Sequence, residues 1–206
     1  MLQPISTADN YMSFPAHIFA GFSLGFYHRH SLRQLLDSTP LNSNILELDP
    51  KELKLTGVAA LALDFDGVLA HHGAPVPDPA AIAWMKRCET IFGGNKIFIL
   101  SNKPTDERKQ WFAANFAAMR FISGVRKKPY PDGLNKTGEL IGVPLSSILM
   151  VDDRLLTGCL AALVAGARPC YIRRPSVSFK YRPVAELFFW LLRTTERLFV
   201  RLASLF

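Results

Sequence analysis

From Gly57 onward the chain alternates between short, uninterrupted apolar runs and longer segments of mixed polarity. The runs fall at 58–63, 96–100, 119–122, 148–151 and 169–172. Between them lie segments of helical character at about 78–91, 105–118, 134–141 and 155–165. Strand–helix–strand alternation predicts a parallel sheet covered on both faces. The runs are continuous rather than alternating, as strands buried on both sides require. The expected fold is α/β, a Rossmann-like three-layer α/β/α sandwich. There is no internal repeat or low-complexity segment. Ahead of the first run, Asp49, Pro50 and Glu52 predict a capped helix start, with Glu52 closing a capping box.

The two ends carry a different pattern. The stretch Phe14–Tyr27 has no Asp, Glu, Lys or Arg but is only 14 residues long. Pro15, Gly21 and Gly25 interrupt it, so an interfacial anchor or docking segment is expected rather than a crossing helix. Gly21 and Gly25 form a GxxxG, a weak signal outside a long apolar segment. The tail, RPVAELFFWLLRTTERLFVRLASLF, predicts a helix opening at Pro183. Glu186, Arg193, Arg197 and Arg201 fall on one side. Leu187, Phe188, Leu191, Leu192, Leu198, Phe199, Leu202 and Leu205 make a broad apolar face. Charges at Arg193, Glu196 and Arg197 fall mid-helix and oppose a transmembrane span. The pattern fits a helix lying in a membrane interface; the alternative is packing on its own domain or in a dimer. The expected organisation is an N-terminal apolar segment (1–44), a globular domain (45–175) and a basic amphipathic helix (176–206).

Charge sharpens the picture of the tail. Residues 1–56 hold four Lys/Arg against five Asp/Glu, residues 57–166 twelve against ten, and residues 167–206 eight against two. The chain's net charge of +7 is therefore concentrated at the C-terminal end, which points to a polyanionic surface. Several aromatics join a basic lead-in of Arg173, Arg174, Lys180 and Arg182, a pattern suited to anionic lipid. Nucleic acid is not expected. Three cysteines, with no CxxC pair, argue against a disulfide framework or a zinc site and for a reducing compartment. The first basic residue is Arg29, so no positive region precedes an apolar stretch as in a secretory signal.

The first apolar run ends in Asp64-Phe65-Asp66-Gly67. Asp-Gly between hydrophobic stretches is a common hairpin signal, but VLAHHGAPVPDP follows. Three prolines and a His pair cannot form a partner strand. The carboxylates therefore sit at the carboxyl end of a strand, where open α/β sheets bind ligands. Two such groups can divide the labour of phosphoryl transfer, one attacking and one handling the proton, if a cation offsets their repulsion. Later strand ends supply what this chemistry needs: Ser101 and Asn102 after the second run, Lys128 past the third, Asp152 and Asp153 after the fourth. Taken singly, Ser101-Asn102 reads as a helix cap, 126–128 as a solvated basic run and Asp152-Asp153 as a cap near Leu155. His71 and His72, in the loop after the acidic pair, are expected to be solvent-exposed and are not needed as metal ligands.

As a set, DFDGV, LSN, KKP and VDD resemble the motifs of the haloacid dehalogenase (HAD) superfamily of phosphotransferases, over about residues 58–172. The resemblance implies that Asp64 is the nucleophile forming an aspartyl-phosphate and Asp66 the general acid/base. It implies that Ser101, with Asn102 beside it, binds the transferring phosphoryl group and that Lys128 neutralises it. Mg²⁺ would be held by Asp64, the backbone carbonyl of Asp66 and a fourth-motif carboxylate, Asp153 or Asp152. Caps in this superfamily are inserted after the first motif or between the second and third. Here 34 residues separate Asp66 from Ser101 and 26 separate Ser101 from Lys128, too few for a cap domain. An open site suits a phosphate displayed on something large.

The stretches SNKPTDER, RKKPYPDGLNK and VDDRLLTGCLAALVAGARPCYI further resemble the YqeG-type branch of capless phosphatases, which includes phosphatidylglycerophosphate phosphatases. The branch usually has Gly-Asp in the fourth motif and another Asp after LLT, where this chain has Asp152-Asp153 and Gly158. Alignment on LLT puts Asp153 at the metal position and leaves Asp152 as a second carboxylate that can pair with Lys128. The expected function is Mg²⁺-dependent hydrolysis of a lipid phosphate monoester, phosphatidylglycerophosphate first, at the inner face of the cell membrane or the mitochondrial matrix face. The alternatives are a phosphatase for a soluble metabolite, phosphoprotein or nucleic-acid end, and a non-catalytic membrane-associated module.

Overall fold

The computed structural model describes residues 14–206, with side chains from Phe19 onward; the first part of the expected N-terminal segment lies outside the described residues. Five strands, β1 (Ala60–Leu63), β2 (Ile97–Ile99), β3 (Arg120–Phe121), β4 (Ile148–Asp152) and β5 (Arg168–Tyr171), form one sheet in the order β3-β2-β1-β4-β5. Every adjacent pair is parallel. The fold is α/β, as the alternation of apolar runs predicts.

The period of two along each strand divides the core into two layers. Leu61, Leu63, Ile97, Ile99, Leu149 and Val151 face one side, against Trp84, Met85 and Cys88 of α4 (Pro79–Phe92) and Phe112 of α5 (Asp106–Asn115). Ala60, Ala62, Phe98, Ile148 and Met150 face the other, against Leu134 of α6 (Asp132–Ile141) and Ala161 and Ala162 of α7 (Leu160–Ala165). A short α3 (Pro50–Leu55) leads into β1, with Asp49 accepting a hydrogen bond from the Lys51 N–H at 3.0 Å. The return bond predicted for Glu52 is not made among the described residues. The helix expected over 155–165 is divided, one π-helical turn at Leu155–Cys159 preceding α7. Among the described residues, one α-helix lies between β1 and β2 and one between β2 and β3.

The ends pack onto this body. Leu32 and Leu36 of α2 (Arg29–Ser38) join Leu155, Leu156, Leu160, Tyr171 and Val200 in a third apolar cluster. In α1 (Phe14–Tyr27), Gly21 and Gly25 face Leu156; a Cβ at Gly25 would lie 2.6 Å from its Cδ2. The GxxxG thus serves close packing within the chain. No helix among the described residues is long and apolar enough to cross a membrane.

The C-terminal helix α8 (Pro183–Ala203) lies on the domain with an unusual polarity. Its inward stripe is Glu186, Phe189, Arg193, Glu196, Val200 and Ala203, and all three charged members are buried. Arg197 is half-buried, its Nε donating to Tyr171 Oη at 2.7 Å, while Arg201 is exposed. Outward stand Val184, Leu187, Phe188, Trp190, Leu191, Leu198 and Leu202, each about half exposed or more.

Candidate active site

The central strand β1 ends at Leu63, and Asp64 follows it in the crevice between β2 and β4. Its backbone N–H donates to Val151 O at 2.9 Å, which ties it to β4. Its carboxylate is nearly buried and receives Lys128: Nζ lies 3.0 Å from Asp64 Oδ1 and 2.6 Å from Asp152 Oδ2. The Lys128 backbone is itself held by the Asn102 side chain, whose Oδ1 accepts from Lys128 N at 2.9 Å and whose Nδ2 donates to Lys128 O at 3.4 Å. Ser101 Oγ accepts from the Lys103 N–H at 3.1 Å, the local cap its sequence suggests, and Ser101 also lines the cavity.

The two fourth-motif carboxylates have different surroundings. Asp152, at the end of β4, bonds Lys128 through Oδ2, while its Oδ1 accepts from Arg154 N at 2.8 Å and from Thr157 Oγ1 at 3.3 Å. It is thus both partner to the lysine and cap of the following turn. Asp153 receives Arg193 Nε on Oδ2 at 2.6 Å, and its Oδ1 is buried without a hydrogen-bond partner. Gly158, in the π-helical turn, lies under Asp152: a Cβ there would overlap the Asp152 carboxylate. Side chains at 152 and 158 therefore compete for one space.

Asp66 projects to the opposite wall, into the fork of Arg108. Arg108 Nη2 donates to Oδ1 at 2.7 Å and Nη1 to Oδ2 at 2.9 Å, and Gly73 N–H adds 2.9 Å to Oδ1. The guanidinium also lies 3.8 Å over the Phe65 ring. Burial alone would raise the Asp66 pKa, but the Arg108 and Gly73 bonds outweigh it and hold the carboxyl below its usual range. Sequence reasoning missed Arg108. Its signal was available, since positions 108, 112 and 116 share one helical stripe with Phe112 and Phe116, and an arginine there is placed inward.

His72 corrects the expectation of a solvent-exposed loop histidine. It is buried and stacked on Phe189 at 3.5 Å between ring centroids, with Nδ1 3.4 Å from Glu186 Oε2. The residue is covered because α8 crosses its loop. Burial, aided by Arg193, depresses its pKa to about 4 against the pull of Asp66 and Glu186, so the ring is neutral at physiological pH. Glu196 acts similarly on the next loop, pairing with Arg154, whose Nε lies 2.7 Å from Oε1. Glu186, Arg193 and Glu196 were readable as charges in the tail; their role in holding the loops after β1 and β4 was not.

Together Asp64, Asp66, Ser101, Lys128 and Asp153 border a cavity of about 350 Å³, closed on one side by the first turns of α8 at Arg182, Ala185 and Phe189. One carboxylate oxygen from each of Asp64, Asp152 and Asp153 lies within 4.8 Å of the others. Burial pushes the Asp64 carboxyl up to about 8 and Asp153 to about 6, with neighbouring carboxylates adding to both shifts and Lys128 and Arg193 opposing them. Three carboxylates in so small a space fit a hard divalent cation such as Mg²⁺. The partnerless Asp153 Oδ1 is the atom such an ion would satisfy. Of the basic residues ahead of α8, Arg174, Lys180 and Arg182 are exposed, whereas Arg173 is half-buried and donates to Leu36 O.

No protein-family model and no curated protein matches this sequence. Among solved structures, the chain is similar to an uncharacterized protein from Corynebacterium glutamicum, at 22% identity and a TM-score of 0.45, over 66% of this chain and 97% of that one. A HAD family enzyme from Bacteroides thetaiotaomicron matches at 15% identity and a TM-score of 0.33, over 84% of this chain and 91% of that one. At these scores neither likeness carries the fold, which stands on strand order and register; what the site does is argued from its own residues.

Proposed function

We propose that the protein is a HAD-type phosphatase that cleaves a phosphate monoester through an aspartyl-phosphate on Asp64. The observation that carries this reading is the convergence of Asp64, Lys128, Asp152 and Asp153 at the carboxyl end of the central strand, with Asp66 and Ser101 across the same cavity. Phosphoryl transfer needs chiefly positioning and charge neutralisation, and this arrangement provides both. Asp64 attacks phosphorus, forming an acyl phosphate as the ester P–O bond breaks. Lys128 offsets charge on the transferring oxygens, and Ser101 donates a hydrogen bond to one of them. Asp66 takes a proton from the water that releases phosphate and regenerates Asp64, and the Arg108 fork holds it ionised for that task. To give a proton to the leaving oxygen in the first step, Asp66 must leave the fork and be protonated as substrate binds. Mg²⁺ would be held by Asp64 and Asp153, with Asp152 and the Asp66 carbonyl beside them, and would supply charge withdrawal and relief of repulsion between carboxylates and phosphate.

The substrate is read as a phosphate on a lipid headgroup, phosphatidylglycerophosphate first, hydrolysed on an anionic membrane surface. The outward apolar face of α8, the exposed Phe19, Phe26 and Tyr27 of α1, and the exposed Arg174, Lys180 and Arg182 support that reading. The test is phosphate release from phosphatidylglycerophosphate in mixed micelles with Mg²⁺. Release is expected in the wild type and absent in Asp64→Asn. Asp64-dependent hydrolysis of a small aryl phosphate without release from the lipid would keep the phosphatase and remove the lipid assignment.

A further inference from the structure

We infer that Arg193, on the C-terminal helix, is a positioning residue for the divalent cation: it fixes Asp153 so that one carboxylate oxygen faces the metal. The inference rests on the metal-dependent reading above and adds to it a part of the site outside the strand-end motifs.

Gly67, with φ of +85°, leaves the room that the Asp153 carboxylate occupies, since a Cβ there would overlap Oδ2. Arg193 Nε donates to that same oxygen at 2.6 Å, with both side chains buried. Oδ2 is thereby engaged and Oδ1 is left buried and partnerless, on a carboxylate that has one oxygen within 4.8 Å of ligand atoms from Asp64 and Asp152. Groups that hold a ligand by hydrogen bonding decide its orientation as much as the ligand's own backbone does. Arg193 is in turn set by α8, which is anchored on either side by Glu186 at His72 and by Glu196 at Arg154. The C-terminal helix thus completes the metal site, although it lies 40 residues further along the chain.

The test is titration of the full-length protein with MgCl₂ by calorimetry, with no substrate present. Arg193→Met is expected to weaken Mg²⁺ binding by about 10–100-fold. Arg193→Lys, which keeps the charge but lacks the planar donor, should fall between. Val200→Ala loosens the same helix face without touching a carboxylate and should bind Mg²⁺ as the wild type does. If Arg193→Met does not fold, Arg193→Lys against Val200→Ala decides the matter. Unchanged binding in the Arg193 variants would overturn the inference while leaving the metal site intact. Tighter binding would overturn it too, making Arg193 a competing counter-charge rather than a holder. A wild type that binds no Mg²⁺ would overturn this inference together with the metal-dependent reading.

Discussion

Helices α4 and α8 both lie against the same domain, yet they are built inside out relative to each other. In α4, Ala81, Trp84, Met85, Cys88 and Phe92 are buried on the sheet, while Lys86 and Arg87 are exposed. In α8 the buried stripe includes Glu186, Arg193 and Glu196, while Leu187, Phe188, Trp190 and Leu191 are exposed. The first helix is held by the removal of apolar surface from water. The second is held largely by ion pairs and hydrogen bonds to the loops that shape the cavity, with Phe189, Val200 and Ala203 between them. Buried charges are costly unless each meets a partner, so α8 is tied to a particular place in a way that α4 is not. A helix whose charges are used inward is free to turn its apolar side outward.

The sharpest way to break the comparison is to remove the anchor of α4. Trp84 is 1% exposed and its Nε1 donates to Leu48 O at 2.7 Å. Trp84→Ala is expected to cost about 3–5 kcal/mol through the cavity it leaves, read as a shift of the chemical-denaturation midpoint. On α8 the corresponding dependence is electrostatic and should follow pH. His72 has a folded pKa of about 4 against an ordinary 6.5, so between those values the unfolded chain binds a proton that the folded one does not. Stability from this group is therefore present above about pH 6.5 and lost as pH falls towards 4. Relative to His72→Gln, the wild type should lose about 3 kcal/mol over that window, followed by thermal or denaturant unfolding at stepped pH. An unchanged difference across the window would mean that α8 does not exclude the proton from His72.

The smallest expected effect on stability comes from the outer face. Replacing Leu187, Trp190 and Leu191 by serine should change stability by only about 0.5 kcal/mol per position, because each side chain is already half in water. The same triple variant should lose binding to vesicles of phosphatidylcholine mixed with phosphatidylglycerol, measured by co-sedimentation. Retained vesicle binding would remove the lipid-facing role proposed for α8, and a large loss of stability would show that this face packs on protein.

The parallel sheet was legible because its strands are buried on both faces and so appear as unbroken apolar runs. Strand lengths were less legible: β3, at one edge, pairs with β2 over only two residues, whereas β5, at the other edge, pairs with β4 over four. Asp64, Asp66, Ser101, Lys128 and Asp152-Asp153 stood out because each directly follows, or lies just past, a strand. Arg193 did not, since an arginine on a helix looks the same whether it reaches solvent or a buried carboxylate, and Arg108 was marked only by the stripe it shares with Phe112 and Phe116. His72 was misjudged for a related reason: nothing local in VLAHHGAP announces that a helix more than a hundred residues later will cover it.

By itself the sequence determined the layering of the domain, the strand ends that carry the acidic residues and the two-sided character of the tail, because each is set by a period along the chain. Only the tertiary structure decided which side of the tail helix turns inward, which of the paired aspartates meets Lys128 and which is left with a free oxygen, and that Gly158 and Asp152 share one space. Periodicity fixes which residues lie on a common face. Which partner that face meets depends on contacts between residues distant in sequence, where charge complementarity and excluded volume choose among arrangements that the local pattern leaves equivalent.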